Sequence, residues 1–284
     1  MKSSIEVKAH AKINLCLNVK GRREDGYHDL EMVMVPLLLH DDIVIRLADA
    51  DGLCCDDKTL LLDDTNTITK AVTLMRDTYH IKEHFVVELK KRIPMQAGLA
   101  GGSSDAAAVM RGINDLLGLH IPLTELAHRS KEIGADVPFC VMDTCAVVEG
   151  IGEYITPFDM NCDAHILLVK PSAGVPTGTA FKMLDIDKCE HPSCFQMRDA
   201  CRKGRFYDMC AALGNSLEYS AFQIVPEIAK IKQSLQLAGF DGVLMSGSGS
   251  TVFALTRDEC LLQRTVKEWE KRYPFVLATR IYKK

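Results

Sequence analysis

The sequence lacks several features that would assign it to a common class of protein. It has 11 cysteines but no C-x-x-C pair and no zinc-type spacing, so the reduced thiols of a cytosolic protein fit best. No apolar run approaches the roughly 20 residues of a membrane span, and the charged N-terminus has the character of neither a signal peptide nor a transit peptide. We therefore expect a cytoplasmic protein with no membrane partner.

A large net charge is also missing. The formal net charge is -4 over 284 residues, which gives no long-range attraction to nucleic acid. The composition, 47% hydrophobic and 25% charged, is typical of a soluble globular protein with a full core. We expect a small molecule as the binding partner, no nucleic acid, and a monomer or homodimer.

The order of the predicted strands and helices indicates an α+β protein, and a loop of Pro, Asp, Asn and Cys at 157–163 predicts a boundary between two domains, residues 1–158 and 159–284. An acidic loop is expected at 49–64. The predicted strands are 5–20 (one strand or two), 32–39, 43–47, 84–91, 139–142, 145–149, 153–156, 165–170, 242–245, 252–255 and 275–282. The predicted helices are 66–79, 104–117, 123–133, 176–184, 225–237 and 258–272.

A glycine-rich loop joins the strand at 84–91 to the helix at 104–117. Its glycines permit positive φ and close approach to a ligand, and the unpaired N–H groups of the first helical turn favour a phosphate. Ser103 or Ser104 is the predicted N-cap. A tight connection without a ligand is the alternative. The loop residues are Pro94, Met95, Gln96, Ala97, Gly98, Leu99, Ala100, Gly101, Gly102, Ser103 and Ser104.

Two familiar nucleotide motifs are absent from this loop. It lacks the lysine of the Walker A pattern G-x-x-x-x-G-K-[ST], and no acidic ribose ligand of a dinucleotide fold follows the strand–helix unit. The loop is therefore expected to bind a nucleotide in another way, if it binds one.

Two polar positions are candidates for chemistry. Lys12 and Asn14 fall on one face of the first strand, roughly 7 Å apart, where they could line a cleft or lie on a solvated face. Asp136 falls in a turn between a helix end and a strand, where ordinary turn chemistry is the alternative to catalysis.

Several separated segments resemble the GHMP superfamily of small-molecule kinases. Residues 94–107, PMQAGLAGGSSDAA, resemble its ATP loop P-x-x-A-G-L-G-G-G-S-S-[DN]-A-A, and residues 246–254, SGSGSTVFA, resemble its C-terminal glycine motif. The opening AKINLCLNVKGRREDGYHDL at 11–30, GADVP at 134–138 and VPTGTAF at 175–181 are similar to the member that phosphorylates a cytidine-diphosphate-linked methylerythritol.

The resemblance implies two α+β domains with the active site in the cleft between them. It implies ATP-dependent phosphorylation of the substrate's 2-hydroxyl, a step of the methylerythritol phosphate route to isoprenoid precursors. Asp136 would be the base and Lys12 would orient it and stabilise the transition state. Tyr27, His28 and Phe181 match positions that receive the cytidine.

The resemblance also extends to less specific contacts. Asn14 and Thr177 would bind the diphosphate or sugar, and Asn66 would lie on the adenine side, beside loop residues Pro94 to Ser104. Mg²⁺ should accompany ATP, yet the family gives no strong all-protein ligand set, and Ser104 is the one candidate for its shell.

One departure from the family loop concerns Ala100. The family usually has glycine there, and a Cβ would be costly if the residue needed positive φ; we expect ATP binding to be retuned, not lost. The alternatives are another GHMP kinase, acting on homoserine or mevalonate, and a non-catalytic nucleotide-binding descendant.

Overall fold

The computed structural model describes residues 3–283. Within them the chain forms eleven strands and ten helices, numbered here in chain order. Their contacts define two compact units, each built from separate segments of the chain. Unit 1 contains the chain up to Ala11, Leu39–Met95 and Ala100–Asp143, and unit 2 contains Lys12–Leu38, Gln96–Leu99 and the chain from Thr144 onward.

Two long strands open the chain, β1 (Ser4–Arg22) and β2 (His28–Ala48). The prediction of two strands at 32–39 and 43–47 is wrong, because β2 continues through the polar residues between them. Asp41, in that stretch, is fully buried and accepts hydrogen bonds from the main-chain N–H groups of Arg92 and Ile93. A buried carboxylate with these partners satisfies its polar atoms without interrupting the strand.

In unit 1 the second part of β2 pairs antiparallel with β4 (His84–Lys90), from Asp42 opposite Lys90 to Ala48 opposite His84. Strand β3 (Gly52–Cys55), within the predicted acidic loop, pairs parallel with β4. The helices of this unit are α1 (Thr67–Tyr79), α2 (Gly101–Leu117), α3 (Leu123–Ser130) and α4 (Val137–Met142).

The predicted strand at 139–142 is wrong, because these residues belong to helix α4. A four-residue apolar run has no periodicity that separates a strand from a buried helix. Pro138, in the first turn, is favourable at a helix start because its missing N–H needs no partner there. The apolar residues of α4 pack against α2 and α3, and Phe139 is almost fully buried.

In unit 2 the rest of β1 pairs parallel with β8 (Gly214–Asn215), and the first part of β2 pairs antiparallel with β5 (Ala146–Gly150). Strand β6 (Tyr154–Pro157) pairs with β5. A second, antiparallel sheet has the order β11-β7-β10-β9. Its strands are β7 (His165–Lys170), β9 (Gly242–Met245), β10 (Val252–Thr256) and β11 (Phe275–Thr279).

Six helices complete unit 2, and the predictions missed those between 185 and 224. The full set is α5 (Thr177–Lys182), α6 (Cys194–Arg202), α7 (Phe206–Ala211), α8 (Glu218–Ile224), α9 (Glu227–Leu237) and α10 (Glu259–Trp269). Among residues 3–283, none of the helices has the length and apolar character needed to cross a membrane.

Candidate active site

Lys12 and Asn14 lie side by side on β1 within unit 2 and are 3% and 0% exposed. The alternative of a solvated strand face is therefore wrong. Every residue of β1 from Ala9 to Leu17 is buried, so both faces of this part of the strand are covered. Lys12 Nζ donates a hydrogen bond of 2.7 Å to Asn14 Oδ1.

The glycine loop between β9 and β10 lies directly on this pair. Gly247 has φ +58°, and a Cβ added to it would lie 3.3 Å from Lys12 Nζ and 3.5 Å from Asn14 Oδ1. Asn215 donates hydrogen bonds of 2.9 and 2.8 Å to the carbonyls of Met245 and Gly247, which hold the loop in place. The left-handed backbone and the close approach to Lys12 both favour glycine at this position.

The middle of the predicted phosphate loop, Gln96–Leu99, also belongs to unit 2 and packs against the same glycine loop. Ser246 Oγ donates to the Gly98 carbonyl at 2.9 Å, and the N–H of Thr251 donates to the Ala97 carbonyl at 3.2 Å. The N–H of Lys12 donates to the Leu99 carbonyl at 3.1 Å. Two glycine motifs far apart in sequence thus meet around Lys12.

Sequence reasoning assigned no site role to Ser246, Gly247 or Ser248. A signal was available, because the alternating glycine and serine residues separate two apolar strands. Ser248 Oγ lies 2.8 Å from Thr177 Oγ1 at the start of α5, which brings the loop to another predicted substrate residue. Both hydroxyls can donate and accept, as contacts to a phosphate or sugar require.

His28 and Phe181, the predicted cytidine residues, form a stacked pair within unit 2. Their ring centroids are 5.1 Å apart and the rings are inclined by 28°. Burial, followed by the nearby positive charge of Arg22, lowers the pKa of His28, so its imidazole is neutral at neutral pH. Tyr27 beside them is 62% exposed and available to a ligand.

In unit 1 the second part of the phosphate loop leads into α2. Ala100 has φ +58°, the left-handed conformation that a Cβ disfavours. The predicted N-cap at Ser103 or Ser104 is wrong, because the helix begins at Gly101 and Ala100 is its N-cap. Ala100 has no polar side chain with which to cap the first turn, so the N–H groups there remain available to an anion.

The remaining serines of this turn differ in exposure. Ser104 is 2% exposed, and its hydroxyl donates to the main-chain carbonyl of His10. Ser103 is half-buried. Gly102 is exposed, and its carbonyl accepts a 2.7 Å hydrogen bond from Thr67 Oγ1 at the start of α1.

A buried charge cluster in unit 1 joins the two ends of the phosphate loop. Lys91 Nζ lies 2.5 Å from Asp41 Oδ2 and 2.8 Å from Asp105 Oδ2, while Asp41 Oδ1 accepts from the N–H groups that precede Pro94. Burial, and then the charge of Asp41, raise the pKa of Asp105 against the opposing effect of Lys91. The cluster connects the end of β4, the interior of β2 and the first turns of α2.

Asp136, the predicted base, is half-buried at the N-cap of α4 in unit 1. The opposite end of α4 is fixed by Asp143, whose carboxylate lies 3.0 Å from His10 Nδ1. Arg111 donates to the Cys140 carbonyl and to the Lys8 carbonyl, the latter at 3.2 Å. A six-residue helix is not stable alone, so these contacts determine where Asp136 is placed.

The last predicted nucleotide residue, Asn66, is the N-cap of α1. Its Oδ1 accepts from the Ile68 N–H at 2.9 Å and its Nδ2 donates to the Leu61 carbonyl at 2.7 Å. The amide of Asn66 therefore shapes the turn before α1.

In the phosphate loop, Met95 is 44% exposed and Gln96 has φ +50°.

No cluster of three or more His, Cys, Asp or Glu side chains with metal-binding geometry occurs within residues 3–283. Ser104, the candidate for a magnesium shell, directs its hydroxyl to a main-chain carbonyl. The side chains of the described chain therefore form no carboxylate cage for a divalent cation.

Two family models and several known proteins match this chain. The family described as GHMP kinases N terminal domain matches residues 66–144, and GHMP kinases C terminal matches residues 197–274. A 4-diphosphocytidyl-2-C-methyl-D-erythritol kinase from Geobacillus sp. is 41% identical over 97% of this chain and 96% of its own length. The enzyme of that name from Bacillus subtilis is 41% identical over 90% of each chain.

Solved structures agree with these relatives. A crystal structure of 4-(cytidine 5'-diphospho)-2C-methyl-D-erythritol kinase has a TM-score of 0.83 and 29% identity, covering 98% of this chain and 99% of its own. A homoserine kinase from Cytophaga hutchinsonii has a TM-score of 0.78 at 19% identity, covering 99% of this chain and 96% of its own, and shares the fold.

Proposed function

Because the chain belongs to the 4-diphosphocytidyl-2-C-methyl-D-erythritol kinase family of the GHMP kinases, we propose that it transfers the γ-phosphoryl group of ATP to the 2-hydroxyl of that substrate. The products are the 2-phosphate and ADP, and the reaction is a step of the methylerythritol phosphate route to isoprenoid precursors. The substrate oxygen forms a bond to the γ-phosphorus, the bond to the β-phosphate oxygen breaks, and the hydroxyl proton leaves to a base.

Asp136 is the base in this proposal. The anchored helix α4 fixes the backbone of this half-buried residue at its start, and a group that accepts a proton during in-line transfer must have a fixed place. Its family position within GADVP supports this role.

Lys12 supplies positive charge to the transition state. An ammonium that is 3% exposed acts in a medium of low dielectric constant, where its attraction for a phosphoryl oxygen is stronger than in water. The hydrogen bond to Asn14 and the glycine loop above it restrict its position.

ATP would bind through the loop from Pro94 to Ser104. The uncapped first turn of α2 offers N–H groups and the positive end of a 17-residue helix to the phosphates. Asn66 remains a proposed contact on the adenine side. Mg²⁺ would arrive as its ATP complex, held mainly by phosphate oxygens and water, as is usual for this cation.

The cytidyl group would stack on the pair formed by His28 and Phe181, beside exposed Tyr27. Stacking of a base on an aromatic ring contributes ~1 to 3 kcal/mol, and a neutral imidazole can donate to one edge atom and accept from another. Asn14 and Thr177 would bind the diphosphate or sugar. Homoserine and mevalonate have no base to stack, so this pair favours the cytidyl substrate.

The observation that carries the proposal is the buried Lys12–Asn14 pair beneath the glycine loop. The test is coupled ADP release with the cytidyl substrate, ATP and magnesium, beside homoserine and mevalonate, for wild type, Lys12→Met and Asp136→Asn. Turnover of the cytidyl substrate alone, reduced by roughly a thousandfold in either variant, is expected. An Asp115→Asn variant, at an exposed position of α2, is the matched control and should keep wild-type activity.

Other results would discard parts of the proposal. Turnover of homoserine or mevalonate would reject the substrate assignment, and ATP binding without any turnover would support the non-catalytic alternative. The division at 158/159, the monomeric or homodimeric state, the cytoplasmic location and the lack of a nucleic-acid partner remain proposals.

A further inference from the structure

The amide of Asn14 has two different partners within unit 2. Its Oδ1 accepts from Lys12 Nζ at 2.7 Å, and its Nδ2 lies 3.3 Å from the sulfur of Met32. Lys12, Asn14 and Met32 are 3%, 0% and 5% exposed, so solvent offers little competition for these hydrogen bonds.

The chemistry of the two partners selects one orientation of the amide. A side-chain amide can be placed in two ways that exchange its oxygen and nitrogen. An ammonium group only donates, so it requires Oδ1, and a thioether only accepts, so it requires Nδ2. Lys12 and Met32 therefore favour the same orientation from opposite ends.

Met32 is itself fixed by the sheet. It lies on β2 in the stretch that pairs with β5, directly opposite Val148, with two further pairs on either side of it. This pairing fixes the backbone of Met32, and its sulfur reaches the Asn14 amide from that fixed position.

We propose that Met32 is a positioning residue for phosphoryl transfer. Its sulfur fixes the orientation of the Asn14 amide, and the amide fixes the ammonium of Lys12 in its place beside Gly247. The inference rests on the proposed function of Lys12. It adds a residue that contacts neither substrate and acts through Asn14.

The first variant is Met32→Leu, which removes the acceptor and keeps a similar apolar volume. Its control is Met34→Leu, two residues further along the same strand, at a position that is 0% exposed. In ADP-release assays we expect kcat of Met32→Leu to fall roughly fivefold, because the buried Asn14 amide loses its acceptor and Lys12 loses its fixed position, with the KM for ATP nearly unchanged. Met34→Leu should keep the wild-type kcat, and both variants should unfold at similar temperatures.

A double-mutant cycle separates positioning from packing. Once Asn14→Ala has removed the amide, Met32→Leu should cause no further loss of kcat. An equal loss in both backgrounds, or the same loss in Met34→Leu, would overturn the inference.

A second readout does not require turnover. In nitrogen-labelled protein, the Asn14 side-chain amide signals, assigned by their disappearance in Asn14→Ala, should shift in Met32→Leu and stay in place in Met34→Leu. Unchanged signals in Met32→Leu would reject the role of the sulfur. Full activity of Lys12→Met would instead reject the proposed function, so the two failures are distinguishable.

Discussion

At the scale of single residues, the buried ammonium of Lys12 is the feature that most needs explanation. Removing a charged group from water costs several kcal/mol unless hydrogen bonds and opposite charge compensate for it. Here the compensation includes Asn14 Oδ1, and the glycine loop lies against the same ammonium. Such a costly position is expected where charge is needed for function, which agrees with the role proposed for Lys12.

Gly247 provides a residue-scale test. In Gly247→Ala the new Cβ would lie 3.1 Å from the Gly98 carbonyl oxygen and 3.3 Å from Lys12 Nζ, and the alanine would have to keep a left-handed backbone at φ +58°. We expect the displaced ammonium to lower kcat at least roughly tenfold, because small misplacements of a catalytic group are costly. The backbone strain should also lower the free energy of unfolding by about 1 to 2 kcal/mol.

The matched control is Gly239→Ala. Gly239 also has positive φ, +96°, but nothing lies within 4 Å of its added Cβ. It should lose stability without losing kcat, as measured by urea denaturation and ADP release. Equal kcat values for the two variants would show that the glycine loop does not control Lys12.

At the scale of the elements, local signals predicted much of the fold. Amphipathic periodicity and a capping residue were sufficient for α1 and α10, where Asn66 and Asp258 cap the helices through their side chains. Such signals failed where the segment was short. The apolar run in α4 lacks periodicity, and the brief elements between 185 and 224 depend on packing against the rest of unit 2 rather than on their own propensity.

The start of α2 illustrates a conflict between local preference and structure. The sequence offers two serines as N-caps, yet the helix begins before them at Gly101, with Ala100 at φ +58°. Replacing Ala100 with glycine should therefore raise the free energy of unfolding by about 1 kcal/mol, because the strain on its Cβ disappears. Urea denaturation measures this change. Ala107→Gly, in the interior of α2, should have the opposite effect, by about 1 kcal/mol or more. A loss of stability in Ala100→Gly would contradict the strain.

At the scale of the whole molecule, the motifs name candidate site residues but carry no information on how those residues touch. The hydrogen bonds from Ser246 and Thr251 to Gly98 and Ala97 join positions about half the chain apart, and periodicity carries no information about such pairs. The same holds for Met32, which reads as an ordinary core residue. Resemblance to a family compensates for this limit only at positions that its motifs include.

The Lys91–Asp41–Asp105 cluster links global stability to pH. Burial first, and the Asp41 charge next, raise the pKa of Asp105 above its usual value of 3.8 despite Lys91. The folded state therefore binds this proton more tightly than the unfolded state does, and stability falls as pH rises from about 4 through the raised pKa. Asp105→Asn removes this titration. Once pH exceeds the raised pKa, the free energy of unfolding of the variant relative to wild type should have increased by about 1.4 kcal/mol for each unit of the shift.

The test compares the free energy of unfolding in urea at about pH 5 and at about pH 8. The free energy of unfolding of Asp105→Asn, relative to that of wild type, should be greater at the higher pH. Asp77→Asn, at an exposed position of α1, is the control and should leave the pH dependence of wild type unchanged. If Asp105→Asn instead lost ground as pH rose, the ionised carboxylate would be stabilising the fold through Lys91. The two ends of the phosphate loop would then be joined by a fully charged network rather than by one that keeps a proton.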